Sequence, residues 1–223
     1  MYRRSLAIFE KALGPDHPNL AAGLSNLAGL YEHQGDYVLA ESLYMRSLEI
    51  QERAFGPAHP NVGATLNNLA LLYFSQGRYV LAEPICQRSL EIAEDALGPD
   101  HPNVATSLFN LATLYQVQEG YAQAEQLSAR ALAIREKVYG PDHPLVAISL
   151  DHLATLHDIQ GQHEKAEPLY RRALGILEKP ARPNRSLLAS VLTNLAALYR
   201  RTGRDAQAQD LETRAESLGA TVR

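Results

Sequence analysis

One hexapeptide recurs along this chain at a step of 42 residues, and no other feature limits the fold as much. It stands as Gly14-Pro15-Asp16-His17-Pro18-Asn19 and returns as Gly56-Pro57-Ala58-His59-Pro60-Asn61. Two more copies follow, Gly98-Pro99-Asp100-His101-Pro102-Asn103 and Gly140-Pro141-Asp142-His143-Pro144-Leu145. A worn fifth, Arg182-Pro183-Asn184-Arg185-Ser186-Leu187, keeps the register. A strict period of this size dictates a stacked array, in which each repeat buries its apolar face only against its neighbours. The core of such an array grows lengthwise, so 223 residues need not mean one or two globules. Arrays of this kind are mostly binding surfaces.

Two helical segments lie between successive Gly-Pro signals. In the first, Leu24, Leu27, Ala28 and Tyr31 share one helix face at three- and four-residue spacing. The sets Leu66-Leu69-Ala70-Tyr73, Leu108-Leu111-Ala112-Tyr115, Leu150-Leu153-Ala154-His157 and Leu192-Leu195-Ala196-Tyr199 repeat the pattern. The segment ends at a glycine (Gly35, Gly77, Gly161, Gly203), which supplies a left-handed C-cap. The third copy shifts its glycine one place, to Gly120 after Glu119, and its loop is expected to differ. The second segment runs roughly from Tyr37 to Phe55 and recurs with a small residue at Ala40, Ala82, Ala124, Ala166 and Ala208, where two helices approach most closely. Gly-Pro breaks that helix, and the proline after histidine opens the next, where a missing N–H costs nothing. Asp16, Asp100 and Asp142, or the histidines beside them, are the expected N-caps. Pro84 and Pro168 fall about a turn and a half into second helices, which predicts either a late start or a kink.

The letters L-x2-L-A-x2-Y followed by A-x3-Y, as in Leu24 to Tyr31 and Ala40 to Tyr44, resemble the tetratricopeptide repeat signature. The period alone would also suit HEAT or armadillo repeats; the Leu/Ala/Tyr pattern with its glycine turn decides against them. The residues beyond the usual tetratricopeptide length fit as a longer second helix plus the G-P-x-H-P loop. That form, carried here by Asn67-Asn68-Leu69-Ala70-Leu71-Leu72-Tyr73 and Arg88-Ser89-Leu90-Glu91-Ile92, is similar to the repeats of kinesin light chains and their bacterial relatives. The resemblance covers essentially the whole chain. It implies an all-α, right-handed superhelical solenoid of antiparallel helix pairs. The expected organisation is a single array over 1–223, with a half-repeat helix at 1–13 and repeats at about 17–55, 59–97, 101–139, 143–178 and 184–218. The last repeat reads as a polar C-terminal cap, with Glu212 and Glu216 where earlier copies have Tyr44 and Leu48.

The resemblance also implies where a partner would lie. First helices line a concave groove in this family, and an extended peptide or short helix binds there. Asn26, Asn68, Asn110, His152 and Asn194 form the clearest series beside the buried positions. Asparagine is a mediocre helix former, so its recurrence needs a reason. Either these amides bond to a peptide backbone, or each bonds to the neighbouring repeat and sets its packing. Other groove positions vary, as specificity positions do: Ser25, Glu32 and His33; Asn67, Leu71 and Phe74; Phe109, Thr113 and Gln116; Asp151, Thr155 and Asp158; Thr193, Arg200 and Arg201. Kinesin light chains use this groove to read acidic peptides containing tryptophan. Here it would be neutral to apolar in the middle, acidic in the fourth repeat and basic only at Arg200 and Arg201. That balance favours an apolar anchor near Leu71, Phe74 and Phe109, unless those phenylalanines simply complete the packing.

Composition narrows the remaining classes. A net charge of −4 offers no basic patch for nucleic acid or an anionic membrane. No apolar run approaches the roughly 20 residues that span a bilayer, and the N-terminus is amphipathic where a signal peptide would be continuously apolar. The single cysteine, Cys86, suits a reducing compartment, so the expected location is cytoplasmic. Cys86 takes the place of Tyr44 and Tyr170 and reads as a small buried hydrophobe. The loop histidines are spaced as a ladder and cannot converge on one metal ion. No nucleophile elbow or phosphate loop is present, so neither enzyme activity nor a cofactor is expected. The leading function is a protein-interaction scaffold. Two alternatives are self-association through the exposed flank of the half-repeat and service as the recognition arm of a larger signalling protein.

Overall fold

The Gly-Pro-x-His-Pro segments act as predicted, each ending one helix and starting the next. The computed structural model describes Glu10, residues 14–179 and residues 184–219. Ten α-helices occur among the described residues. They are α1 (Pro18–His33), α2 (Tyr37–Phe55), α3 (Pro60–Ser75), α4 (Tyr79–Leu97) and α5 (Pro102–Val117). There follow α6 (Tyr121–Tyr139), α7 (Pro144–Ile159), α8 (His163–Glu178), α9 (Arg185–Arg201) and α10 (Asp205–Gly219). The half-repeat expected over 1–13 lies outside the described residues except for Glu10, which is helical, and so do Arg182 and Pro183 of the worn fifth copy.

Histidine, not aspartate, caps the first helices. Nδ1 of His17, His59, His101 and His143 accepts the backbone N–H two residues on, at 3.1–3.2 Å. The preceding aromatic steadies two of these rings, with Phe55 stacked on His59 and Tyr139 on His143 at 4.6 Å between centroids. The third-copy loop does not differ after all. Glu119 itself takes the left-handed conformation, at φ 62°, that Gly35 and Gly77 take at 78° and 71°. The Gly120 N–H reaches back to the Tyr115 carbonyl just as the Asp36 N–H reaches that of Tyr31. Neither proline delays its helix: α4 contains Pro84 and α8 contains Pro168.

The chain divides into two units, Met1–Leu114 and Tyr115–Arg223, with α5 running across the division. In the N-terminal unit α1 pairs with α2 and α3 with α4, and α2 packs on α3. Leu20, Ala21, Leu24 and Ile50 form one core cluster there. Small residues let paired helices touch: Ser47 Oγ donates to the Ala21 carbonyl and Ser89 Oγ to the Gly63 carbonyl, both at 2.8 Å. A Cβ on Gly63 would stand 3.1 Å from Ile92 Cγ2, so only glycine fits that approach without displacement. In the C-terminal unit α7 pairs with α8 and α9 with α10, while α6 packs on α7 and α8 on α9. Its core gathers Leu150, Tyr170, Leu192, Leu195 and Leu198.

A polar triad recurs between repeats in both units. In the first, the Tyr73 hydroxyl and Arg78 both donate to Glu41 at 2.8 Å, with the guanidinium 4.5 Å from the Tyr73 ring centroid. In the second, the Tyr199 hydroxyl donates to Glu167 at 3.1 Å and Arg204 pairs with the same carboxylate at 2.8 Å. These bonds run from the end of a first helix to the preceding second helix and fix the stacking of one repeat on the next.

Candidate functional site: the first-helix face

In the N-terminal unit the first helices α1, α3 and α5 present a run of cavities. An open trough of about 600 Å³ is lined by Asn26, Glu32, His33, Tyr44, Asn68 and Leu71. A second of about 460 Å³ shares Ser25, Asn26 and Asn68 with it and extends to Asn19, Asn61 and Thr65. A third, of about 160 Å³, adds Asn67, Asn103 and Thr106. Glu32 is the one carboxylate among the residues lining these cavities, and no lysine or arginine lines them. Burial pushes the Glu32 carboxyl up, opposed by the hydrogen bond it accepts from Tyr44.

The asparagine series splits by bonding. Asn26 and Asn68 make no hydrogen bond to a described residue, and both border the two larger troughs. Asn110 instead donates to Asn67 Oδ1 at 2.8 Å, and Asn194 donates to Asp151 Oδ1 at 3.0 Å. His152, in the same series, places Nδ1 2.8 Å from Ser128 Oγ. Two rungs thus offer free amides and three hold their own unit together.

Leu71, Phe74, Phe109, Asn110 and Thr113 meet around a partly open pocket of about 170 Å³ between α3, α4 and α5. Ala70, Ala82, Cys86 and Leu114 complete it. Sequence periodicity singled out the first group and not the second. The signal for the second was the loss of an aromatic ring at Cys86, legible as a volume deficit but read only as burial. The thiol is buried, and desolvation, with help from Glu83, pushes it up to about 11. It stays neutral and unreactive at ordinary pH.

The C-terminal unit departs from the expected charge pattern. Asp158, placed in the groove by periodicity, is buried and accepts from His163 Nδ1 at 2.9 Å and from Arg201. Arg200 is likewise occupied, bonding Glu212 at 2.7 Å and Asp205 at 3.3 Å. Arg201 thus neutralises Asp158 one repeat away, while Arg200 is neutralised within its own repeat by Glu212 and Asp205. Asp151 is half-buried, and burial pushes its carboxyl up. Among the described residues no three His, Cys, Asp or Glu side chains gather as metal ligands. No helix there is long and apolar enough to cross a membrane.

Comparison with known proteins rests on the same repeats. Residues 1–37, 19–80, 62–135 and 110–179 match the tetratricopeptide repeat profile. The chain belongs to the tetratricopeptide repeat family. BtubC (BKLC) from P. vanneervenii is similar in structure, with a TM-score of 0.82 and 25% identity over 98% of this chain and 85% of that one. A point-substituted form of a Podosopora anserina protein, named for kinesin light chain and its nearly identical repeats, gives a TM-score of 0.78 at 25% identity, over 92% of this chain and 96% of that one. Its counterpart without that change gives 0.76 at 25% identity, over 93% and 98%. No curated protein matches the sequence. The fold is thus an all-α tetratricopeptide solenoid of the kinesin-light-chain-like type. Tetratricopeptide repeats are protein–protein interaction scaffolds, and this fold is typically non-catalytic.

Proposed function

We propose that the first-helix face of the N-terminal unit binds an extended segment of a protein partner. The amides of Asn26 and Asn68 bond the backbone of that segment, and one apolar side chain enters the pocket bordered by Leu71, Phe74 and Phe109. One observation carries this reading: along a single series of asparagines, the two that make no hydrogen bond to a described residue are the two bordering the larger troughs. Backbone bonding by side-chain amides tolerates varied sequence, and a deep apolar pocket adds selectivity at one position. The lining charge favours a neutral or basic segment, since Glu32 faces the trough and no lysine or arginine does.

A random peptide library displayed against the protein tests this, with enriched peptides titrated into wild type and the Asn26→Ala, Asn68→Ala double variant. Two lost hydrogen bonds, each worth about 1 kcal/mol, predict binding weaker by at least about tenfold. The melting temperature should stay within about 1 °C, because neither amide supports the fold. Peptides that bind both forms equally would move the site elsewhere.

A further inference from the structure

We propose that the pocket between α3, α4 and α5 is a phenyl-selective anchor site, which takes a phenylalanine side chain of the bound segment where sibling repeats hold their own tyrosine ring. The proposal rests on the groove reading above and specifies its anchor. Stepping 42 residues along the second helices gives Tyr44, Cys86, Ser128, Tyr170 and, in the polar last helix, Glu212, which Arg200 engages. Where the ring is present, it lies against the first helix of its own repeat. The Tyr44 hydroxyl donates to Glu32 Oε2 at 3.4 Å and lies 3.5 Å from where a Cβ on Gly29 would stand. The Tyr170 hydroxyl lies 2.9 Å from Thr155 Oγ1. In α3 the positions equivalent to Gly29 and Glu32 are Leu71 and Phe74, and both line the pocket beside Cys86. The pocket therefore occupies the space of a missing ring. Ser128 lacks the ring too, but its Oγ is engaged by His152, 2.8 Å away.

Size and polarity fix the occupant. The cavity of about 170 Å³ is close to the roughly 150 Å³ apolar cavity that is known to hold benzene. A phenol fits the volume less well chemically. Tyr44 finds Glu32 and Tyr170 finds Thr155, whereas Leu71 and Phe74 offer no acceptor at those places. Only two of the lining residues carry polar side chains besides the thiol, and both donate elsewhere, Thr113 Oγ1 to the Phe109 carbonyl at 2.9 Å and Asn110 to Asn67 at 2.8 Å. A hydroxyl entering this mostly apolar lining gives up its bonds to water for at most one bond to the Thr113 or Asn110 oxygen, while a phenyl ring gives up none.

Toluene and p-cresol are the probes, followed by amide chemical shifts of the 223-residue chain. Toluene should shift Ala82, Cys86 and Thr113, with p-cresol at least about tenfold weaker. Cys86→Ala should retain toluene binding. Cys86→Phe fills the pocket from within, so it should abolish those shifts and melt about 2–4 °C above Cys86→Tyr. Equal binding of p-cresol, toluene shifts that survive in Cys86→Phe, or a Cys86→Phe chain that fails to fold for want of room would each overturn the proposal. Selected peptides that need Asn26 and Asn68 but carry an anchor other than phenylalanine would overturn it while leaving the groove reading intact. Toluene binding at these amides with no peptide dependence on the asparagines would do the reverse.

Discussion

His152 replaces asparagine in a series otherwise made of Asn26, Asn68, Asn110 and Asn194, and that one exchange makes the fold sensitive to acid. Burial, reinforced by the Arg135 guanidinium, pushes the imidazole down from its ordinary 6.5 to about 4. The folded chain thus refuses a proton that the unfolded chain accepts. Stability tied to the neutral ring is complete above pH 6.5, falls as pH drops through the window to about 4, and is lost below it. The two limits differ by on the order of 3 kcal/mol. Asp151 works in the opposite sense, because burial pushes its carboxyl up and its contribution grows as pH falls. Comparing wild type with His152→Asn in matched buffers cancels the shared carboxylates. The wild-type melting temperature should fall by about 6–10 °C relative to the variant between pH 7 and pH 4. Parallel curves would show that the ring is hydrated in solution. The position of this residue was legible from periodicity, but its bonding was not. A repeat fixes which face a side chain occupies, while the partner depends on the neighbouring helix: Asn110 reaches Asn67 and Asn194 reaches Asp151, whereas Asn68 makes no hydrogen bond to a described residue.

At the scale of the element, local chemistry read well and volume did not. Helix ends were legible because Gly-Pro stops one helix and His-Pro opens the next with no partner needed beyond the loop. The choice of histidine over aspartate as cap was open, since both carry an acceptor near the same N–H groups. Pro84 left a late start and a kink both open, and only the first is excluded. It sits at the sixth residue of α4, where one backbone bond near the helix start is forgone and the helix continues. The pocket behind Leu71 was half legible, since it depends on a ring absent from one helix and on two residues of another. The third-copy turn shows the opposite error, a sequence difference without a structural one. Glu119 holds φ 62° although it is not glycine, a conformation that costs an L-residue roughly 1–2 kcal/mol. Glu119→Gly removes that strain and adds some freedom to the unfolded chain. A net gain of about 1 kcal/mol is expected, read as a rise of about 2–4 °C in melting temperature with the helical spectrum unchanged. A fall would mean that the Glu119 side chain holds the turn.

For the whole molecule, a repeat array spreads stability along its length instead of concentrating it in one core. Each helix is held by those packed directly on it, so stability approximates a sum of repeats and their interfaces. Within the C-terminal unit this predicts a gradient. The last helix, α10, buries only Ala208 and Leu211, whereas α7 buries Val146, Leu150, Leu153 and Leu156 among others. Ala215 and Leu218 add partly buried contacts, and ion pairs such as Arg214 with Glu178 and Arg200 with Glu212 tie α10 to α8 and α9, open to water and screened by salt. Amide exchange under native conditions should therefore release α10 first, through an opening that leaves α7 and α8 protected. Leu211→Ala sharpens the test, because emptying a buried leucine site costs about 2–5 kcal/mol. The variant should speed exchange in α10 by at least about tenfold and leave α7 and α8 at wild-type rates. Equal acceleration in all three helices would show that the unit opens as one cooperative body, so that a partner pressing on any repeat would be felt by the rest.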